Sequence, residues 1–185
     1  MSRALSHRFT VSDLQRMTAS GLFHEDDRVE LLNGEVVDMP PPGPMHSEVV
    51  SRLIDAFRKL SRKDAVLRAQ DPVEISDISQ PQPDVVLIRP RKEGYADRHP
   101  RPKDILLLIE VSDTSIIFDR EAKVPLYALA GVNEVWLVDV QRQRIVVHRK
   151  PQKDGYQQVT EFTVKEKVSP LAFPKVKVSV AAIVT

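Results

Sequence analysis

Two uninterrupted apolar runs near the middle of the chain predict strands at the centre of a sheet. The first is Val-Val-Leu-Ile at residues 85–88, and the second is Ile-Leu-Leu-Leu-Ile-Glu-Val at residues 105–111. Strands covered on both faces lack the alternation of apolar and polar residues, so both runs fit buried central strands. Further strands are predicted at residues 66–69, 73–75, 134–140, 144–149, 156–164 and 176–180.

Helical periodicity and capping signals predict three helices. Apolar residues at i, i+3 and i+4 spacing indicate a helix over residues 46–60. A capping-box pattern at Thr10 predicts a short helix directly after it. A third helix is predicted over residues 120–130, with Asp119 as its N-cap and with a kink or a later start at Pro125.

Turn residues divide the remaining segments. Asn33-Gly34 lies between two short apolar segments and is the dipeptide most typical of a tight hairpin. The proline-rich stretch 40–44 fits neither a helix nor a central strand and predicts a loop. Together the elements predict a single domain over residues 1–185, of the α/β (α+β) class: a mixed β-sheet core flanked by helices, with added β-hairpins.

Composition narrows the functional classes only a little. The 185 residues include 27 Lys and Arg against 26 Asp and Glu, so the formal net charge of +1 favours no class of partner. The absence of cysteine excludes disulfides and thiolate metal sites. The N-terminal residues lack the apolar core of a signal peptide, and no apolar run is long enough to span a bilayer. We therefore expect a cytoplasmic protein without membrane contact.

Candidate chemistry lies at the ends of the two apolar runs. Asp84 precedes the first run, Glu110 closes the second, and Lys123 follows one helix-length later. A carboxylate beside apolar residues is costly to bury unless it is paired or holds a metal. If the two strands are antiparallel, both carboxylates meet at one edge of the sheet. Two carboxylates and a lysine suffice for phosphodiester hydrolysis with Mg²⁺ or a similar cation.

The segment between the two runs is basic. Residues 89–103 carry an excess of four positive charges when His99 is excluded. A basic loop beside an acidic metal site is suited to holding a nucleic-acid backbone. The candidate nucleic-acid-binding residues are Arg89, Arg91, Lys92, Arg98 and Arg101.

Each of these features also has a purely structural interpretation. Asp84 could simply start a strand, and Glu110 could pair with an arginine. Lys123 could be a solvated helix residue, and the basic segment could be a mobile surface loop.

At these residues the chain resembles the PD-(D/E)XK nuclease superfamily, which has the restriction-endonuclease-like fold, and more closely the Uma2 family of endonucleases, long classed as the domain of unknown function DUF820. The resemblance covers about residues 10–150. The matching stretches are residues 28–36, the proline-rich turn up to His46, and residues 82–86, 109–115, 119–127 and 130–139.

The resemblance implies an α-β-β-β-α-β core, with a metal held by Asp84 and Glu110. It adds Glu30 as a further acidic ligand or base and His46 as a possible auxiliary residue. The superfamily motif expects lysine two residues after the second acid, where this chain has Ser112. In the Uma2 family that lysine is displaced onto the following helix, and Lys123 occupies the displaced position. Its four methylenes give it the reach to do so.

The leading hypothesis is a DNA endonuclease dependent on Mg²⁺ or Mn²⁺, with Glu30, Asp84, Glu110 and Lys123 as its catalytic set. The alternative is a non-catalytic nucleic-acid-binding or assembly protein on the same fold. A third hypothesis, a hydrolase for a small phosphorylated substrate, predicts a tight pocket instead of an open groove. Because two active sites cut two strands, we expect a homodimer, with the C-terminal strands as a possible interface.

Overall fold

The computed structural model describes residues 6–24, 27–60 and 63–185. The first five residues, which belong to the stretch tested for a signal peptide, lie outside this range. No helix within the described ranges is both long and apolar enough to cross a membrane.

The N-terminal part forms two helices and a hairpin before the main sheet begins. Thr10 caps the first helix through the expected capping box with Asp13. Asn33 and Gly34 both have positive φ, as a two-residue hairpin turn of this type requires. The elements are α1 (Val11–Ala19), β1 (Val29–Leu32), β2 (Glu35–Asp38) and α2 (Pro44–Phe57).

A six-stranded mixed sheet forms the centre of the molecule. Its strands are β3 (Val66–Ala69), β4 (Val85–Ile88), β5 (Ile105–Ser112), β6 (Glu134–Asp139), β7 (Arg144–Gln152) and β8 (Gly155–Thr163), in that spatial order. All neighbours are antiparallel except β5 and β6, which are parallel. The predicted mixed sheet flanked by helices is thereby confirmed.

The connection from β5 to β6 crosses the sheet through one continuous helical segment. It consists of α3 (Ile116–Phe118), a π-helical turn (Asp119–Lys123) and α4 (Val124–Leu129). The chain ends with a two-stranded ladder of β9 (Lys167–Val168) and β10 (Val178–Ser179), followed by α5 (Val180–Val184).

Each face of the central strands packs on different helices. Odd-numbered residues such as Leu107 and Ile109 contact α2 and α5, whereas even-numbered residues such as Val86 and Leu108 pack with α4. The four residues of β4 are at most 1% exposed. The uninterrupted apolar runs therefore do correspond to strands covered on both faces, as predicted.

Three predictions of secondary structure were wrong. Residues 73–75 form no strand, although Val73 and Ile75 are buried. The predicted strand at 176–180 is reduced to the two residues of β10, because α5 begins at Val180. Since Val180 and Ile183 are buried in the core, this segment is not an exposed interface. The helix predicted from residue 120 begins earlier, at Ile116.

Candidate active site

The two central strands bring their carboxylates to the same end of the sheet. Val85 of β4 is paired with Ile109 of β5 in an antiparallel ladder, so Asp84 lies next to the Glu110 end of β5. The backbone N–H of Val111 donates to Asp84 Oδ2 at 2.8 Å. The expected antiparallel pairing is present, and it fixes the Asp84 carboxylate against the strand that carries Glu110.

Lys123 occupies the centre of the site. Its Nζ lies 3.0 Å from Glu30 Oε1, 3.4 Å from Glu110 Oε1 and 4.0 Å from Asp119 Oδ1. The side chain is 2% exposed, so it is not a solvated helix residue. Glu110 pairs with this lysine and accepts a hydrogen bond from the Tyr127 hydroxyl at 2.5 Å.

The four residues expected to form the catalytic set therefore line one cleft, but not all of them contact Lys123. Glu30 reaches the site from the β1–β2 hairpin and is held by the backbone N–H of Gln82, which donates to its Oε1 at 3.0 Å. Asp84 is not within salt-bridge distance of Lys123, whose partners among the described residues are Glu30, Glu110 and Asp119. It pairs instead with His46, whose Nε2 lies 3.1 Å from Asp84 Oδ1. His46 thus belongs to the site through Asp84.

Asp119 does not cap a helix, contrary to the sequence-based prediction. It lies inside the helical segment, within the π turn, and its Oδ2 accepts hydrogen bonds from the hydroxyls of Ser112 and Ser115, both at 2.6 Å. The prediction failed because an aspartate at the start of a helical stretch is the usual signature of an N-cap, and a π turn leaves no comparable signature. Glu121 pairs with the neighbouring Arg120 on the surface and does not line the cleft.

Burial and charge shift the proton affinities at the site. Burial raises the pKa of Glu110 well above its ordinary value, and burial also raises the pKa of Glu30, in each case despite the opposing effect of Lys123. Burial alone would lower the pKa of Lys123, but the nearby Glu110, Glu30 and Asp119 outweigh it and raise that pKa. One ammonium group therefore serves several buried carboxyls and does not balance their charge.

The site opens into a cleft of about 290 Å³ that contains Asp84, Glu110 and Lys123. Within the described part of the chain, the buried atoms Glu30 Oε2 and His46 Nδ1 at this cleft have no hydrogen-bond partner. The carboxylate oxygens present are the hard ligands that Mg²⁺ and Mn²⁺ prefer, so the donor chemistry fits such an ion. In the part of the chain that the structure describes, however, no three His, Asp or Glu side chains stand preassembled as a metal-binding group.

Sequence reasoning missed three residues of the site. Asp119 and Tyr127 contact its charged groups, and Arg28 lies at the cleft mouth, where its guanidinium donates to the backbone oxygen of Pro40. Asp119 and Tyr127 lie four residues before and after Lys123, and this helical spacing could have identified both.

The basic segment lies elsewhere than expected. It connects the far end of β4, after Ile88, to the start of β5, so the length of β4, about 13 Å, separates it from Asp84. No residue from 89 to 103 lines the cleft. Several of its charges are matched locally by Asp97, Asp104 and Glu74, which pair with Arg91, Arg98 and Arg101 respectively. Arg89 donates to the backbone oxygen of Lys103, and Lys92 is exposed.

Comparisons with known proteins agree with the fold. A "putative nuclease belonging to DUF820" from Anabaena variabilis ATCC 29413 superposes with a TM-score of 0.75 over 95% of this chain and 97% of its own, at 16% sequence identity. No curated protein matches the chain. The model of the Uma2 family, described as "Putative restriction endonuclease", matches residues 11–181. The chain therefore belongs to the Uma2 family.

Proposed function

We propose that the protein is a divalent-metal-dependent endonuclease that hydrolyses DNA phosphodiester bonds. The observation that supports this most directly is an imbalance of buried charge. Four acidic side chains at the site are each at most 7% exposed: Glu30, Asp84, Glu110 and Asp119. Among the described residues, the buried lysine that faces them is Lys123. Such an excess of buried carboxyl groups is relieved by protonation, which the raised pKa values of Glu110 and Glu30 favour, or by a cation that enters the site.

Asp84 and Glu110 would hold the metal, with Glu30 as an additional ligand whose Oε2 has no protein partner. A bound divalent ion lowers the pKa of a coordinated water and stabilises negative charge on the phosphate. Lys123, held between Glu30 and Glu110, supplies a fixed positive charge for the transition state.

Neighbouring groups would orient this set. His46 Nε2 lies 3.1 Å from Asp84 Oδ1, and the backbone N–H of Val111 donates to the other carboxylate oxygen, so the Asp84 side chain has little freedom to rotate. Tyr127 fixes Glu110 in the same way. Preorganised groups of this kind need no rearrangement at the moment of reaction.

The complete set argues against a decayed, non-catalytic site. All four expected charged residues are present, and each is buried with partners on different elements: Glu30 on the hairpin, Asp84 and Glu110 on the sheet, and Lys123 on the helical segment. A protein that only binds nucleic acid would have no need to retain this costly arrangement.

For DNA contacts we propose Arg28 at the cleft mouth, with the segment 89–103 reaching more distant backbone phosphates of a longer duplex. Local pairing with acidic side chains reduces the charge that Arg91, Arg98 and Arg101 can offer. Arg28 therefore carries more of the proposed binding than the loop.

The decisive experiment incubates purified protein with supercoiled plasmid and Mg²⁺ or Mn²⁺. We expect cleavage by the native protein and none by the Asp84→Ala variant. Asp104→Ala is a matched control, because Asp104 is also 7% exposed but lies at the opposite end of β5. We expect this control to cleave normally in whatever fraction remains folded.

The same assay tests the remaining alternatives. No cleavage with either ion, or equal cleavage by the Asp84→Ala variant, would contradict the proposed nuclease function. Hydrolysis of bis(p-nitrophenyl) phosphate without cleavage of DNA would instead favour a small-substrate hydrolase.

We also propose that the enzyme acts as a homodimer. Linear product that appears without a nicked intermediate would support two cooperating sites, and accumulation of nicked circles would indicate independent monomers.

A further inference from the structure

The helical segment that supplies Lys123 is tied to the strand that carries Glu110. Ser112 is the last residue of β5 and lies two positions after Glu110, so the two side chains point to the same face of the strand. Ser112 is fully buried, and its hydroxyl donates to Asp119 Oδ2 at 2.6 Å. One strand thus contacts the site twice, directly through Glu110 and indirectly through Ser112.

A second hydroxyl strengthens this connection. Ser115, in the turn between β5 and α3, also donates to Asp119 Oδ2 at 2.6 Å. The backbone N–H of Asp119 donates in turn to the carbonyl oxygen of Ser115 at 3.0 Å. Both hydroxyls meet on one oxygen of Asp119, so the other oxygen, Oδ1, is the one that faces Lys123 at 4.0 Å.

The π turn aligns three site residues on one face. Its defining hydrogen bond runs from the backbone N–H of Val124 to the carbonyl oxygen of Asp119, five residues earlier. Asp119, Lys123 and Tyr127 follow at intervals of four residues and are all at most 3% exposed. π turns are rare and occur frequently at functional sites.

The partners of Asp119 fix the orientation of its carboxylate. One oxygen accepts two hydroxyl hydrogen bonds, and the other faces the Lys123 ammonium. Because the two hydroxyls hold Oδ2, they also set the direction in which Oδ1 faces the lysine.

We propose that Asp119 is a positioning residue, and that together with Ser112 and Ser115 it forms a clamp that sets the position of the Lys123 ammonium. The serine found two residues after Glu110 then has a function of its own. Ser112 does not provide the amine, but its hydroxyl holds the Asp119 carboxylate, which in turn faces the Lys123 ammonium. Its significance for catalysis rests on the proposed nuclease function, whereas the positioning itself does not.

The positioning can be tested without any nuclease activity. Trace acetylation of lysine amines with acetic anhydride, followed by mass spectrometry, measures how often Lys123 becomes accessible as the uncharged amine in the metal-free protein. We expect the double variant Ser112→Ala/Ser115→Ala, which keeps every charge, to acetylate Lys123 about tenfold faster than the native protein, because hydrogen bonds that keep the closed state have been lost. Asp119→Asn should also react faster, in part because the loss of a nearby carboxylate lowers the pKa of Lys123.

Asp104→Asn is the matched control, since it removes a carboxylate charge at the other end of β5 and leaves the clamp intact. Its Lys123 acetylation should equal that of the native protein, even if its thermal midpoint falls. Should Asp119→Asn fail to fold, the serine double variant, which keeps every charge, provides the test. Lys123 acetylation that stays within about twofold of native in the folded variants would overturn the clamp.

Kinetics on plasmid DNA separate this inference from the proposed function. If the native protein cleaves DNA, Asp119→Asn should lower kcat at least about tenfold with little change in KM, because a misplaced ammonium weakens only the transition state. Normal cleavage by a variant with native acetylation would refute the clamp and leave the nuclease proposal standing. Faster acetylation in a protein that cleaves nothing would support the clamp and refute the nuclease proposal.

Discussion

At the scale of single residues, the site depends on how one ammonium is shared among buried carboxyls. The sequence identified Asp84, Glu110 and Lys123 from their places beside apolar runs and along the chain. It did not show that Lys123 would lie within 4.0 Å of Glu30, Glu110 and Asp119 simultaneously. Glu30 is 93 residues from Lys123 in the sequence, and the packing of the hairpin and the helical segment against the sheet brings the two together.

The sharing of that charge predicts a large effect on stability. Lys123→Met should lower the free energy of unfolding by about 3 kcal/mol, because it leaves buried carboxylates without their cation. Urea denaturation measures this loss. The exposed Lys92 provides the comparison, since Lys92→Met should change stability by less than about 0.5 kcal/mol. Equal, small losses in the two variants would contradict the central role of Lys123.

At the scale of secondary-structure elements, regular strands and capped helices were predictable and special turns were only partly so. The β4 and β5 strands and the capping box of α1 follow from local sequence. The π turn does not, because no residue pattern in the sequence distinguishes it from an ordinary helical turn. The prediction for the C-terminal segment was wrong because apolar alternation over a few residues fits either a strand or a short buried helix. In the structure this segment forms α5, whose apolar residues pack into the core.

The β1–β2 hairpin provides a prediction at this scale, because it carries Glu30 into the site. Gly34 in its turn has a φ of +83°, and an added Cβ would lie 2.6 Å from Arg8 Cβ. Gly34→Ala should therefore cost about 2 kcal/mol or more, from the strained backbone and the clash together. Thermal or urea denaturation measures the loss.

Gly94 is the matched control for the hairpin variant. It also has a positive φ, of +68°, but an added Cβ would meet nothing within 4 Å. Gly94→Ala should cost only the backbone strain, about 1 kcal/mol. If both variants lose the same stability, the close approach of Arg8 does not constrain the hairpin.

At the scale of the whole molecule, the six-stranded sheet buries a titratable histidine that affects the stability of the fold. His148 of β7 is buried next to Tyr156, with a ring centroid separation of 5.6 Å. Burial lowers the pKa of His148 from 6.5 to about 4. The unfolded chain therefore binds a proton between these pH values that the folded protein does not bind.

This difference in proton binding predicts acid sensitivity of the fold. The contribution of neutral His148 is complete above pH 6.5 and is lost as the pH falls towards 4, by at most about 3 kcal/mol. Denaturation of the native protein and of His148→Gln between pH 7 and 4 measures it. The native protein should lose more stability over this range than the variant does, and parallel pH profiles would show that His148 does not contribute.

The sequence by itself determined the central strands, the helices with clear periodicity, the hairpin turn and three of the charged site residues, because these depend on local pattern and on the cost of burying charge. Resemblance to a family added Glu30 and His46. The tertiary structure decided that no part of the basic segment lines the cleft, that Glu30 contacts Lys123, and that Ser112 and Ser115 both donate to Asp119. These features depend on how the segments pack against one another, which the local periodicity of the chain does not specify.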